Sequence, residues 1–301
     1  MFKHLLVPLD GSIMAEVSLP AAVSLAVMSG AAVTLIHVIE RGAPQDIHGE
    51  RHLTSPDEAR DYLNEVTSRF FPAEISVERH VHDSEVNDVA RSIAEHAGEL
   101  GQDLVVMCTH GRGGLRGFMS GSIAQQVVGL GKTPVLLIPP AAVGSSPVFP
   151  CHRVLVALDG NPDHEEGLTV AAGLAKSSGA ELCLIMAVHT VDTLPGERAA
   201  TAKMLPGATH ALLEMAEEDA KEYLHRHAAT LLAAGFTATV DVRRGDPVVV
   251  ILGALKRTGA DLIVLATHGK SAMDAFWSGS ATPNVTSRSP VPLLLVPVRT
   301  K

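Results

Sequence analysis

The sequence predicts two tandem α/β domains, each an open parallel sheet covered by helices. Three observations carry this expectation. The 301-residue chain is one unit written twice, each copy alternates short apolar runs with longer helical stretches, and apolar residues make up 46%, enough for a core in each copy. Leu5-Leu6-Val7-Pro8-Leu9-Asp10-Gly11 returns as Val154-Leu155-Val156-Ala157-Leu158-Asp159-Gly160 at an offset of 149, and Asp103 to Gly111 returns as Asp261 to Gly269 at an offset of 158. The second copy has therefore gained nine residues between its second strand and its fourth. A unit of about 150 residues is a whole domain rather than a solenoid repeat.

In the first copy, strands are expected at 3–9, 32–39, 75–81, 103–108 and 134–138. In the second they are expected at 152–158, 181–188, 237–243, 261–266 and 292–298. The runs at 103–108 and 261–266 are apolar on both faces, as parallel strands covered by helices require. Helices are expected at 15–29, 122–130 and 164–178, with Gly30 and Gly179 as C-terminal stops, and a further one at 208–228. The copies diverge most at 41–72 and 189–225, which are expected to form lids or partner surfaces. Pro139-Pro140 through Pro147 to Pro150 reads as a linker, giving one domain at 1–140, a connection at 141–150 and a second domain at 151–301.

Composition narrows the function classes. Aromatics are only 3%, too few for base-stacking platforms. The formal net charge is −9, with 10 basic and 17 acidic groups in residues 1–148 and 14 and 16 in the remainder, so neither half is a basic arm for nucleic acid or anionic membrane. Cys108, Cys151 and Cys183 are odd in number and lack metal-type spacing, which fits a reducing compartment. No apolar run reaches the roughly 18–20 residues of a membrane span, and the N-terminal apolar stretch runs at once into Asp10-Gly11-Ser12. A cytoplasmic chain with no nucleic-acid partner and no membrane span is the expectation.

In open parallel sheets, ligands sit beyond the carboxyl ends of the strands, where the strand order switches. Strand 1 ends at Asp10-Gly11-Ser12. The fourth strand ends at Met107-Cys108-Thr109-His110-Gly111, followed by Arg112 and then Gly121-Ser122 before a helix. Glycines admit positive φ and close backbone approach to a ligand, and a helix start at Ser122 favours an anion. Asp10 supplies an acceptor for a ribose hydroxyl or an amino group. Asp159, Gly269 and Gly279-Ser280 repeat the arrangement, which suits a nucleotide with its phosphates between loop and helix. Arg112 and Lys270 follow the loop glycine in the two copies, where a cation neutralises phosphate.

These residues resemble the universal stress protein family, here as a tandem two-domain member of its ATP-binding branch. That branch has the pattern Gly-x2-Gly-x9-Gly-Ser/Thr, against which this chain sets Cys108-x2-Gly111-x9-Gly121-Ser122 and Ala266-x2-Gly269-x9-Gly279-Ser280. The first glycine is replaced in both copies, by Cys108 and Ala266. The resemblance implies a Rossmann-like, adenine-nucleotide alpha-hydrolase-like fold, and ATP (or AMP or ADP), with Mg²⁺ near the phosphates, as ligand. Carried over by position, nucleotide contacts fall on Pro8, Leu9, Asp10 and Val38, then Met107, His110, Gly111, Arg112, Gly121, Ser122 and Ile123. In the second copy they fall on Leu158, Asp159, Ala187, His268, Gly269, Lys270, Gly279 and Ser280.

Other signals carry less. Gly129-Leu130-Gly131-Lys132-Thr133 lacks the glycine a phosphate loop needs, since Gln126 stands there. His80 and His82 share a strand face, but spacing identifies no third ligand, so no metal site is expected. Nor is any catalytic residue assigned, because no nucleophile–base pair is identifiable. Three readings follow: an adenine-nucleotide-binding stress-response regulator with protein partners of unknown identity, a structural or interaction module of the same fold, and a slow ATPase or nucleotidyl-transfer enzyme. The resemblance also implies that Val135–Ile138 and Leu293–Val298 pair within the chain as a pseudo-dimer, with homodimerisation beyond it.

Overall fold

The computed structural model describes residues 2–43, 46–47, 50–51, 53–109, 123–140, 149–194, 196–268 and 281–298. Two compact units are present. The first comprises Met1–Pro150 with Thr267–Phe276 and Pro290–Lys301, and the second Cys151–Ala266 with Trp277–Ser289.

In the first unit, strand β1 (His4–Pro8) lies between β2 (Ala32–Glu40) and β6 (Leu104–Cys108), parallel to both. β5 (Val77–Val86) pairs with β2, and β7 (Val135–Ile138) pairs with β6, again parallel. β12 (Leu293–Val298) closes the row antiparallel to β7, with Leu293 opposite Leu137 and Leu295 opposite Val135. The expected pairing of these two terminal strands within one chain is thus observed. A short hairpin, β3 (Asp46–Ile47) with β4 (Glu50–Arg51), stands apart from this sheet. The second unit repeats the parallel pattern. β8 (Arg153–Leu158) lies between β9 (Glu181–Val188) and β11 (Leu262–His268), and β10 (Ala238–Arg244) pairs with β9. Leu5, Leu6, Leu35, Leu104, Leu155 and Leu182 are fully buried because their strands are covered on both faces.

The helix expected at 15–29 is broken. α1 (Ile13–Glu16) ends at Val17, and α2 (Leu19–Ser29) starts afresh with Pro20 in its first turn, where the missing N–H costs nothing. In the second unit a 3₁₀ turn, Pro162–Glu165, precedes α6 (Glu166–Ser178) in the same way. Gly30 and Gly179 do terminate α2 and α6, both in left-handed conformation. α4 (Val89–Glu99) and α5 (Ile123–Leu130) complete the first unit's regular helices with α3 (Pro56–Phe70). α7 (Gly196–Met204), α8 (Pro206–Ala233), α9 (Pro247–Thr258) and α10 (Ala281–Arg288) belong to the second half of the chain.

The divergent segments fold mainly into packed helices. α3 buries Ala59, Leu63 and Val66 at helical spacing, and α8 buries Leu213, Ala220, Leu224, Ala228 and Leu231. The register locates the length difference. Val33 pairs with Val77, while its equivalent Leu182 pairs with Ala238, so the offset has risen from 149 to 161 at this strand. At the helix caps Asp88 and Asp246 it is back to 158. The second copy therefore gains twelve residues before β10, which go with a 28-residue α8 against a 15-residue α3. It lacks three within the strand, since β5 has ten residues with a register shift opposite Val38–Glu40, and β10 has seven. No helix among the described residues is long and apolar enough to cross a membrane.

Candidate functional site

The chain leaves β1 to form β2 on one side and later β6 on the other, so the strand order switches at β1 and β6. Pro8 ends β1 with Leu9 and Asp10 just beyond it, and Met107 and Val38 lie near the carboxyl ends of the neighbouring strands β6 and β2. Val38 and Met107 are both buried. Leu9 donates its N–H to Ile36 O at 2.9 Å, extending the ladder one residue past β1, and Asp10 then turns outward into solvent. Ile123 heads α5 and is partly exposed.

Asp10 is held by its neighbour. Its Oδ1 accepts from Ser12 N at 2.9 Å and from Ser12 Oγ at 2.7 Å, while Ser12 Oγ caps α1 by accepting from Ala15 N. Among the described residues no donor lies on Oδ2. Gly11 between them has φ +92°, a conformation that a side chain resists. A Cβ there would stand 2.9 Å from Leu53 Cγ. Leu53 is in turn fastened by His37, a buried ring that the sequence reading did not single out. His37 Nδ1 lies 2.8 Å from Leu9 O and Nε2 lies 3.0 Å from Leu53 O. The ring thus ties the chain after β4 onto the end of β1, with the Leu53 side chain over Gly11.

The second unit builds the same corner with different contacts. Asp159 Oδ1 accepts from Asn161 N at 3.0 Å, and Asn161 Oδ1 accepts from Asp163 N. Gly160 keeps the positive φ, at +80°, and Met186, the equivalent of His37, faces it. The other oxygen of Asp159 is occupied, because His164 Nδ1 lies 2.6 Å from Oδ2. Ala15 stands at the equivalent position of the first unit, so among the described residues the second carboxylate is engaged on both oxygens and the first on Oδ1. Leu158 is buried and Ala187 half-buried at the neighbouring strand ends.

Behind each aspartate stands a Tyr–Glu pair that spacing did not reveal. Tyr62 on α3 donates to Glu16 Oε1 at 3.2 Å, and Tyr223 on α8 donates to Glu165 Oε1 at 3.0 Å. Arg69 adds an ion pair to Glu16 at 2.6 Å, and His227 lies 3.2 Å from Glu165. Burial pushes both phenols far above their usual range, and the carboxylates they face, with Asp10 and Asp159 behind, push the same way. Both phenols therefore remain donors. His110, Gly111, Arg112, Gly121 and Ser122, and Gly269, Lys270, Gly279 and Ser280, lie outside the described residues, as does the linker at 141–148; His268 ends β11.

Comparison with known proteins agrees with this architecture. The model of the universal stress protein family matches twice, over residues 1–139 and 150–297. A universal stress protein of Thermus aquaticus, described by its place in the 3′ region of a sulfhydrylase gene, is 30% identical over 143 residues, which cover 48% of this chain and 96% of that protein. The stress response protein NhaX of Bacillus subtilis is 24% identical over 165 residues, covering 50% and 99%. Among solved structures, a universal stress protein from Archaeoglobus fulgidus shares the fold over 98% of this chain and 96% of its own, with a TM-score of 0.71 and 20% identity. With the family's unit matched in both halves, the chain belongs to the universal stress protein family.

Proposed function

We propose that this chain is a cytoplasmic stress-response regulator whose first unit binds an adenine nucleotide, and that binding rather than turnover is its task. One observation carries the reading: at the switch point of a parallel sheet Asp10 is exposed, its Oδ1 held by Ser12 beside the positive φ of Gly11, with no donor on Oδ2 among the described residues. A carboxylate fixed in this way fits a ribose hydroxyl, which needs an acceptor. The buried strand ends at Val38 and Met107 leave backbone groups and an apolar wall for a base. Magnesium would enter with the phosphates and be held by them, because no metal-ligating group is needed from the strand ends.

The Asp159–His164 contact favours a second reading for the second unit. There the acceptor is already satisfied, so that copy serves as an interaction module or binds nucleotide more weakly. Nucleotide content tests both. Freshly purified protein is denatured, and the released nucleotide is identified by mass spectrometry and quantified. About one adenine nucleotide per chain, lost in Asp10→Ala and kept in Asp159→Ala, is the expected result. No released nucleotide, together with no thermal shift on adding ATP and Mg²⁺, would overturn the proposal and leave the interaction-module reading for both units.

A further inference from the structure

β5 and α4 bring three imidazoles together at a corner of the first unit. His80 and His82, two residues apart on β5, share one face of the strand. His96, buried on α4, meets both, with ring centroids 4.9 Å from His80 and 4.9 Å from His82. One ligand nitrogen from each of the three lies within 4.8 Å of the others.

The hydrogen bonds already give the rings the form a metal requires. His96 Nδ1 lies 2.7 Å from Ser92 O, and a carbonyl oxygen only accepts, so Nδ1 carries the proton and Nε2 keeps its lone pair. A backbone carbonyl on the far nitrogen is the usual way a metal-binding histidine is oriented. His80 Nε2 is buried and has no hydrogen-bond partner among the described residues, a state that a buried polar atom rarely keeps without a ligand. A cation about 2.0–2.1 Å from three nitrogens in tetrahedral array needs them about 3.4 Å apart. Rotation of the rings about their broad terminal torsions supplies the remaining approach of about 1.4 Å at most. Burial and the neighbouring His96 and His82 rings oppose a proton on His80 and so favour its neutral form, while the carboxylates of Asp83 and Glu99 act the other way, Asp83 being also paired with Arg60 at 2.9 Å.

The fold itself does not ask for histidine here, and the second copy demonstrates this. His80 and His82 pair with Ile36 and Val38, and at the equivalent places Asp241 and Arg243 pair with Ile185 and Ala187. Counted from the helix caps Asp88 and Asp246, His96 corresponds to Ala254 and Glu99 to Arg257. That corner is closed by ion pairs, Arg243 and Arg257 holding Asp241 at 2.7 and 2.6 Å. Three imidazole rings stand in place of this self-satisfied cluster in the first copy and leave a nitrogen over.

We propose that His80, His82 and His96 form a three-nitrogen site for a divalent transition cation of the zinc class, with the fourth position left to water or an outside ligand. The cation would clamp the edge strand β5 to α4. Imidazole sets of this kind suit Zn²⁺, Cu²⁺, Ni²⁺ and Co²⁺ and disfavour Mg²⁺ and Ca²⁺. The site is separate from the nucleotide reading and stands or falls without it.

The test uses the full chain, stripped with a chelator and desalted, then titrated with Zn²⁺ against a chromophoric competitor and, separately, with Co²⁺. Expected are about one tightly bound equivalent, a tetrahedral Co²⁺ spectrum and a zinc-dependent rise in the unfolding midpoint. His82→Gln, at a half-exposed position, should remove that equivalent and the rise while leaving the circular dichroism unchanged. His80→Ala should do the same, and His210→Ala on α8 should not. Absence of bound zinc at micromolar concentration, or an equivalent that persists in both His82→Gln and His80→Ala, would overturn the proposal.

Discussion

Tyr62 donates its phenolic hydrogen bond to Glu16 across 46 residues of sequence, fastening α3 to the short helix that follows the first strand. The chain has two tyrosines, and the other makes the equivalent bond, Tyr223 to Glu165, from α8. Equivalence follows from the two offsets, 149 at the glutamates and 161 at the tyrosines, so the pair survived an insertion of twelve residues between its members. The Glu16 side chain is 13% exposed and relies on Tyr62 and Arg69 in place of water.

Tyr62→Phe should therefore destabilise the first unit by about 1–3 kcal/mol, the usual cost of stripping a donor from a buried acceptor. Tyr223→Phe should cost less, because Glu165 is more exposed. Urea unfolding followed by circular dichroism measures both. Equal and negligible effects would mean that water replaces the phenol at each joint.

Gly11→Ala combines two penalties. The positive φ costs about 1–3 kcal/mol for a residue with a side chain, and the new methyl meets Leu53 at 2.9 Å. Gly160→Ala meets only the mobile end of Met186, at 3.2 Å, and should show chiefly the φ cost. Leu53→Ala should rescue part of Gly11→Ala in a double-mutant cycle and none of Gly160→Ala.

Asp10 and Asp159 should differ in the effect of their loss. Removing a charged acceptor from a ligand hydroxyl costs about 1.5–3 kcal/mol, or roughly tenfold to 150-fold in affinity. Asp10→Ala should weaken ATP binding by that factor in calorimetric titration. His164→Ala releases Asp159 Oδ2 and should strengthen or create binding in the second unit, a gain that Asp159→Ala would abolish.

Thiol chemistry offers an independent view of the site. Burial pushes the Cys151 and Cys183 thiols up, so near neutral pH both hold less thiolate than an ordinary cysteine. Cys108 is half-buried at the end of β6, beside the proposed base-binding strands. Alkylation mapped by mass spectrometry should label Cys108 before the other two, and saturating ATP should slow that labelling selectively. Labelling of Cys108 that ignores nucleotide would separate β6 from the site.

The strands were legible because each is a short apolar run bounded by turn residues, and every expected strand forms within a few residues of its place. The break between α1 and α2 was also written in the sequence, at Pro20, but an apolar pattern running from 15 to 29 masked it. α3 and α8 were harder to read, since helices with differing lengths blur the repeat where the copies diverge. The aspartates and glycines at the strand ends were legible because they recur at one offset. The contacts that distinguish the two sites were not. His164 reaches Asp159 only after a 3₁₀ turn, His37 reaches Leu53 only across 16 residues of sequence, and His96 joins His80 and His82 only once α4 has folded back onto β5.

The contrast between His80, His82 and His96 in one copy and Asp241, Arg243 and Ala254 in the other has a genetic consequence. In an assembly of identical chains every substitution appears in each subunit, so a change that suits one site is imposed on all of them. Fusing two copies into one reading frame lifts that constraint. One half can hold ion pairs while its sibling carries a different chemistry at the same address, and selection can act on the two halves separately.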